Sequence, residues 1–274
     1  MSEYQYYEFQ AVDRPLTPEE QDKVASLSSR VQLTASSAVF TYNFGDFRGN
    51  PERILEAYYD AMLYLANWGS KQLLFRLPRK LVQLADLQPY CVEDVVSTRQ
   101  SGDYAILNIR VDEEEPDGWT EGEGCLAPLL PIRQMLLEGD FRALYLAWLK
   151  GAQRTDPDGE EAEALEPPVP PNLKKLTPPL RALVEFFDVD PDLIAVAAGT
   201  SPTQPEAGPV DYPALLPKLS PTEREQFLVR LAKGESNLTT QLQKRLLELS
   251  HEKAPLPPPS AAPRRSIRSL LAAA

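Results

Sequence analysis

The sequence predicts an α+β fold: a ferredoxin-like β-α-β-β-α-β sandwich extended by a β-hairpin, followed by a mostly α-helical, Pro-rich C-terminal region. Three observations carry this. The first 77 residues read as strand, helix, strand, strand, helix, strand, the order in which two helices cover one face of an antiparallel sheet. Two further β-rich runs flank a Gln-Ser-Gly-Asp turn. Of 27 prolines, eight precede residue 154 and nineteen follow it, so the chain changes character there. A different α+β arrangement of the same elements is the alternative.

Tyr4 to Val12 alternates, with Tyr4, Tyr6, Glu8 and Gln10 on one face and Tyr7, Phe9 and Ala11 on the other. Thr17, Pro18 and Glu20 form a capping box with proline at the first helical position, and the helix they start runs to about Ser28 with Val24 and Leu27 inward. Arg30–Thr34 and Val39–Asn43 read as a hairpin. Asn50 and Pro51 open a second helix. Ile54, Leu55, Tyr58, Met62 and Leu65 recur at helical spacing, which carries it to Asn67. Trp68, before Gly69, reads as its buried C-terminal anchor, and Gln72–Leu77 as the fourth strand. Tyr90–Ser97 and Tyr104–Val111 make the added hairpin, and Glu113–Gly124 an acidic loop. Leu126–Leu137 and Asp140–Lys150 are helices broken at Gly139.

These elements give an α+β domain over 1–153. Residues 154–171, RTDPDGEEAEALEPPVPP, form an acidic Pro-rich linker. A small helical region over 172–253 follows, with helices at Leu176–Phe187, Asp190–Ala198, Pro221–Lys233 and Glu235–His251. The last carries a stripe of Leu238, Leu242, Leu246 and Leu249. Residues 254–274 are a Pro-rich tether and the start of a basic helix, as at the cut end of a longer protein.

Forty acids against 28 bases give a net charge of −12, which repels phosphate backbones and disfavours nucleic acid. The basic cluster of Arg264, Arg265 and Arg268 stands at the far end. No apolar run is long enough to span a membrane, and MSEYQYYEFQ lacks the features of a signal peptide, so a cytoplasmic protein without a membrane partner is expected. Cys91 and Cys125 have neither disulfide-framework nor metal-ligand spacing. The one histidine, His251, adjoins the tether, which removes triads and most zinc sites. No catalytic set, metal or cofactor is expected.

Polar residues concentrate between Val39 and Pro78. The loop NFGDFRGN places Asp46 and Arg48 at a helix mouth, where a cation and helix amides suit an anion or a partner's carboxylate. The plainer reading has Gly45 and Gly49 shaping the loop, Asp46 and Asn50 satisfying amides, and Phe44 and Phe47 anchoring it. Glu56, Asp60 and Asn67 share one side of the expected helix, with hydroxyls from Tyr58, Tyr59 and Tyr64, an arrangement that also describes a solvated face. Arg76 and Arg79 read as surface ion pairs. Asp46, Arg48, Asp60 and Asn67 are therefore the candidate ligand- or partner-binding residues.

With YYEFQAVDRPLTPEEQ, LSSRVQLT, YNFGDFRGNPE, YLANWGSKQLLFRLP and EPPVPPNL taken together, the chain resembles a bacterial protein family of unknown function, most strongly over residues 1–171. The resemblance implies a coherent N-terminal domain and a charged helical continuation, and assigns no activity. The expected function is a non-enzymatic protein–protein interaction or adaptor role with another protein. One alternative is a small-ligand binder or enzyme using Asp46, Arg48, Asp60 and Tyr58 over the loop 43–50 and helix 51–67. The other is an RNA-binding sheet that displays Tyr4 and Tyr6, against which the charge argues.

Overall fold

Residues 3–113, 121–204, 211–249 and 264–274 are described by a computed structural model of the chain. In chain order the elements are β1 (Gln5–Gln10), α1 (Pro18–Ala25), β2 (Gln32–Leu33), β3 (Ser37–Tyr42), α2 (Pro51–Tyr58), β4 (Ala61–Ala66), β5 (Ser70–Pro78), α3 (Leu84–Leu87), β6 (Val96–Ser101) and β7 (Tyr104–Asp112). The helices α4 (Pro131–Glu138), α5 (Arg142–Arg154), α6 (Pro178–Phe187), α7 (Pro191–Thr200), α8 (Tyr212–Leu215), α9 (Pro221–Ala232), α10 (Leu238–Leu249) and α11 (Ile267–Leu271) follow. The fold is mixed α+β. One antiparallel sheet of seven strands runs in the order β2-β3-β1-β4-β5-β7-β6.

Local signals act as the chain reads. Thr17 and Glu20 close the capping box of α1, Asn50 Oδ1 accepts from the Arg53 amide, and Gly139, at φ 89°, ends α4 in the left-handed conformation. The sheet order, however, differs from the four-stranded ferredoxin-like sandwich expected. The helix opened by Asn50 stops at Tyr58, and Ala61–Ala66 is a strand lying between β1 and β5. Its residues alternate, Ala61, Leu63 and Leu65 to one face and Met62, Tyr64 and Ala66 to the other, and both faces are buried. A strand covered on both sides carries an unbroken apolar run, which satisfies helical spacing as readily as strand spacing. Six paired residues against β1 decide between them. The strand expected fourth, Gln72–Leu77, accordingly sits one place further out, between β4 and β7.

Trp68 is not a buried helix anchor. It is 45% exposed in the β4–β5 turn, where its indole N–H donates to Ser70 Oγ at 3.1 Å. The turn depends on Gly69, whose φ of 94° is left-handed and whose carbonyl accepts from the Glu113 amide at 3.1 Å. An added Cβ there would overlap the Glu113 carbonyl.

The two sheet faces carry different covers. Tyr7, Phe9, Phe40, Met62 and Tyr64 pack under Val24 of α1 and Leu55 of α2. On the opposite face Leu63, Leu73, Phe75, Leu107 and Ile109 belong to one core with residues of α4, α5, α6, α7 and α11. Residues 154–171 run along this body rather than away from it, burying Ala162, Glu166 and Pro170. The basic residues near the C-terminus turn inward to meet them. Arg265 grips both Glu166 oxygens (2.7 and 2.9 Å), and the Tyr145 hydroxyl donates to the same carboxylate. Glu166 N–H donates to the Arg265 carbonyl, Ile267 N–H to the Ala164 carbonyl, and Arg268 pairs with Glu163 at 3.0 Å. Ile267 and Leu270 are buried. Cys91 and Cys125 are free and half-buried. The expected tether 254–263, His251 and most of the acidic loop 113–124 lie outside the described residues.

Two stability measurements check these assignments. Gly69→Ala is expected to cost about 1–3 kcal/mol in urea unfolding, from the strained φ and the carbonyl contact. Arg265→Met leaves Glu166 buried without its cation, at an expected cost of about 3–5 kcal/mol, and adding Glu166→Gln recovers most of the loss. A double variant no more stable than Arg265→Met alone would show that the pair does not hold the C-terminal segment.

Candidate interaction surface

The four residues singled out in the sequence do not share one site. Asp46 is exposed and accepts from Gln5 Nε2 at 2.9 Å. Asn67 Oδ1 accepts from the Tyr4 amide at 2.9 Å, so both lie at the start of β1. Arg48 is exposed in the loop that carries Asp46, and of the two phenylalanines there only Phe47 is buried. Asp60 stands at the opposite end of β4, beside the Gln10–Ala61 pair. The six residues of β4 lie between it and Asn67, seven steps or about 23 Å at the usual rise per residue. Tyr58 is half-buried and packs against the core under α2, and Tyr59 is fully buried beneath it.

Asp60 is instead the centre of an internal ionic cluster. It is 1% exposed. Its Oδ2 accepts from the amides of Val12 and Asp13, both at 2.8 Å. Its Oδ1 accepts from Arg76 NH2 at 2.9 Å and approaches Arg133 NH2 at 3.5 Å. Arg133, on α4, is as deeply buried and also pairs with Asp13 (2.8 Å) and the Arg76 carbonyl (3.0 Å). Arg76 adds the Glu56 carbonyl and stacks over the Tyr104 ring at 4.5 Å. Burial raises the Asp60 pKa, but Arg133, the Asp13 amide and Arg76 together outweigh it and hold the carboxyl below its ordinary value. Every strong donor around it is engaged, so the cluster is structural machinery.

The sequence suggests a surface charge at Arg76, whose side chain is in fact largely buried, and Arg133 lies outside the candidate residues. A signal for Arg133 exists in the sequence. It falls on the stripe of Leu129, Ile132, Leu136 and Leu137 at helical spacing, and an arginine on a buried stripe demands a buried acid. Tyr4 and Tyr6 are likewise buried rather than displayed.

What the fold leaves uncovered is α9. Ser220 and Glu223 cap it reciprocally with Pro221 at its first position, so the helix is well specified. Its neighbour α10 is tied to the body: Leu246 packs with Leu215 and Leu219, Lys244 Nζ donates to the Leu81 carbonyl, and Gln134 of α4 donates to Thr240. Helix α9 sits outside α10, held by Phe227, by the ion pair Arg245–Glu223 (2.8 Å) and by donation from Arg230 to the Gln241 side-chain oxygen, and buries no residue of its own. Leu228 and Leu231 are 65% and 64% exposed, with Ala232 and Val229 exposed beside them. Arg224, Leu228, Leu231 and Ala232 follow helical spacing, so the outward stripe is apolar with a charged start.

Among the described residues no group of His, Cys, Asp and Glu could hold a metal ion, and no helix is long and apolar enough to cross a membrane. No protein-family model matches the chain, and no curated protein or solved structure matches it either.

Asp60→Asn is expected to cost about 3–5 kcal/mol, because Arg133 and Arg76 keep their burial and lose their counter-charge. The pH dependence has a definite sign. With its folded pKa depressed, Asp60 contributes stability that is complete above its unfolded value of about 4 and is lost as pH falls through the folded pKa. Unfolding curves between pH 7 and pH 2 should therefore flatten in Asp60→Asn, and an unchanged acid limb would remove Asp60 from the acid sensitivity.

Proposed function

We propose that this chain is a non-enzymatic protein-interaction protein that associates with a second copy of itself through α9. The observation that carries the reading is a well-capped helix with no buried residue that turns Leu228 and Leu231 outward. Isolated exposed leucines are ordinary, but two on one stripe beside Val229 and Ala232 form a patch. In this reading residues 1–153 act as scaffold, 154–171 as the strap and 172–253 as the presenting helices.

Charge supports a second copy as the occupant. The chain as a whole is strongly acidic, yet residues 221–249 carry five bases and four acids, so two such hairpins do not repel. A two-fold antiparallel pairing that sets Leu228 against Leu231 of the other copy brings Glu225 near Lys233. The interface is then self-complementary in both apolar and charged positions. Four leucines buried at about 1.5–3 kcal/mol each are set against an association cost of about 4–15 kcal/mol, which makes the dimer weak and concentration-dependent.

Sedimentation equilibrium on the whole chain is expected to show a reversible monomer–dimer equilibrium. Leu228→Glu with Leu231→Glu should abolish it without changing the melting temperature, because neither side chain packs in the monomer. A wild-type chain that stays monomeric at the highest attainable concentration, or a dimer that survives the double variant, overturns the proposal.

A further inference from the structure

A second surface is chemically distinct from α9 and lies where the acidic composition makes it least expected. Arg142 and residues within 172–181 and 201–204 line a half-open cavity of about 680 Å³. Arg142, Lys174, Lys175 and Arg181 line it, and no described acidic residue does. The basic residues near the C-terminus are meanwhile spent on Glu166, Glu163 and backbone carbonyls.

The walls are fixed by hydrogen bonds independent of any ligand. Asn172 adopts a left-handed φ of 62° and exchanges two hydrogen bonds with the Gln204 backbone, both at 3.0 Å. The Ser201 hydroxyl donates to the Pro170 carbonyl at 2.7 Å and accepts from the Leu173 amide at 3.0 Å. These bonds clamp one wall to the other and hold the cavity open before anything enters it.

The cations differ in what they have to offer. Arg142 is largely held by Asp140, at 2.7 Å from its NH2. Arg181 donates one N–H to the Leu176 carbonyl and has no ion-pair partner among the described residues, and neither has Lys174. The Thr177 hydroxyl at the cavity wall is shielded from solvent and makes no hydrogen bond, although Thr177 caps α6. With Pro178 and Pro179 at its first two positions, α6 supplies few free amides, so the positive character comes from side chains.

We infer that this cavity is a binding site for a small organic phosphate. A dianion gains about twice what a carboxylate gains from each facing cation, and arginine and lysine together suit phosphate oxygens as a fork and a point charge. The volume lies in the usual range of about 300–1,000 Å³ for small-molecule sites, well beyond a bare ion, and Leu176, Pro178 and Pro202 give the organic part an apolar wall. The site is independent of the α9 surface, and each proposal stands or falls alone.

The test titrates the whole chain with glycerol 3-phosphate, inorganic phosphate and acetate, followed by amide NMR shifts. Saturable shifts confined to residues 172–181 and 201–204 are expected with glycerol 3-phosphate, with Kd below about 1 mM. Inorganic phosphate should bind more weakly and acetate more weakly still. Lys174→Gln with Arg181→Gln should weaken glycerol 3-phosphate binding by about tenfold or more, and both exposed sites should leave the melting temperature in phosphate-free buffer unchanged. No saturation in the millimolar range, equal binding by the double variant, or acetate binding as tightly as the phosphates would each overturn the assignment.

Discussion

The buried carboxylate of Asp60 is the constraint on which the arrangement depends. It accepts from the chain leaving β1, through the amides of Val12 and Asp13, and from Arg76 on β5, and it stands beside Arg133 on α4. A single side chain thus joins the central strands to the first helix of the C-terminal cover. Buried ion pairs contribute little net stability over apolar replacements, because both charges leave water. What such a pair supplies is position: Arg133 has one place where its charge is met, so α4 has one seat on the sheet. Since α5, α6, α7 and α11 share the core that α4 enters, their placement follows from it.

How much of this was legible in the sequence varies with the range of the signal. Caps and breaks are local chemistry, so Thr17, Asn50, Asp190, Ser220 and Gly139 each mark their helix end. The alternation of β1 is plain because its two faces enter two different cores. β4 is hidden because burial on both sides erases alternation, and the same apolar run then suits a helix. Taken as helix, that run displaces the fourth strand, puts Asp60 and Asn67 on a common face, and makes Trp68 a helix anchor. The ionic cluster was illegible for another reason. Its members, residues 13, 60, 76 and 133, are far apart in sequence, and only the tertiary fold makes Asp60 answer Arg133.

The same distinction explains the charges. Arg264, Arg265 and Arg268 form the evident basic cluster in the sequence, yet they face carbonyls and the carboxylates of Glu166 and Glu163. Conversely, Lys174 and Arg181, without ion-pair partners among the described residues, come to line one cavity only when the segment before α6 folds against residues 201–204. Sequence proximity of like charges therefore points to the wrong place. In a chain of net charge −12 the useful quantity is the balance left after internal ion pairs are removed, and the fold determines it.

These constraints also limit where recognition can happen. Much of the sheet is covered: helices lie over one face, α1 and α2 cover the β1-β3-β4 side of the other, and the remainder carries mutually bonded groups such as Gln72 with Asn108 and Arg110 with Asp112. The loop around Asp46 is tied to Gln5, and Asn67 to Tyr4. In the Pro-rich second half, short helices joined by irregular segments leave gaps between elements. There the Asn172–Gln204 and Ser201–Pro170 bonds rigidify a cavity without filling it, while α9, anchored through α10, keeps its apolar stripe outside the core. The sheet is thus largely covered by its own helices, whereas the helical half keeps a cavity and an apolar helix face open to solvent.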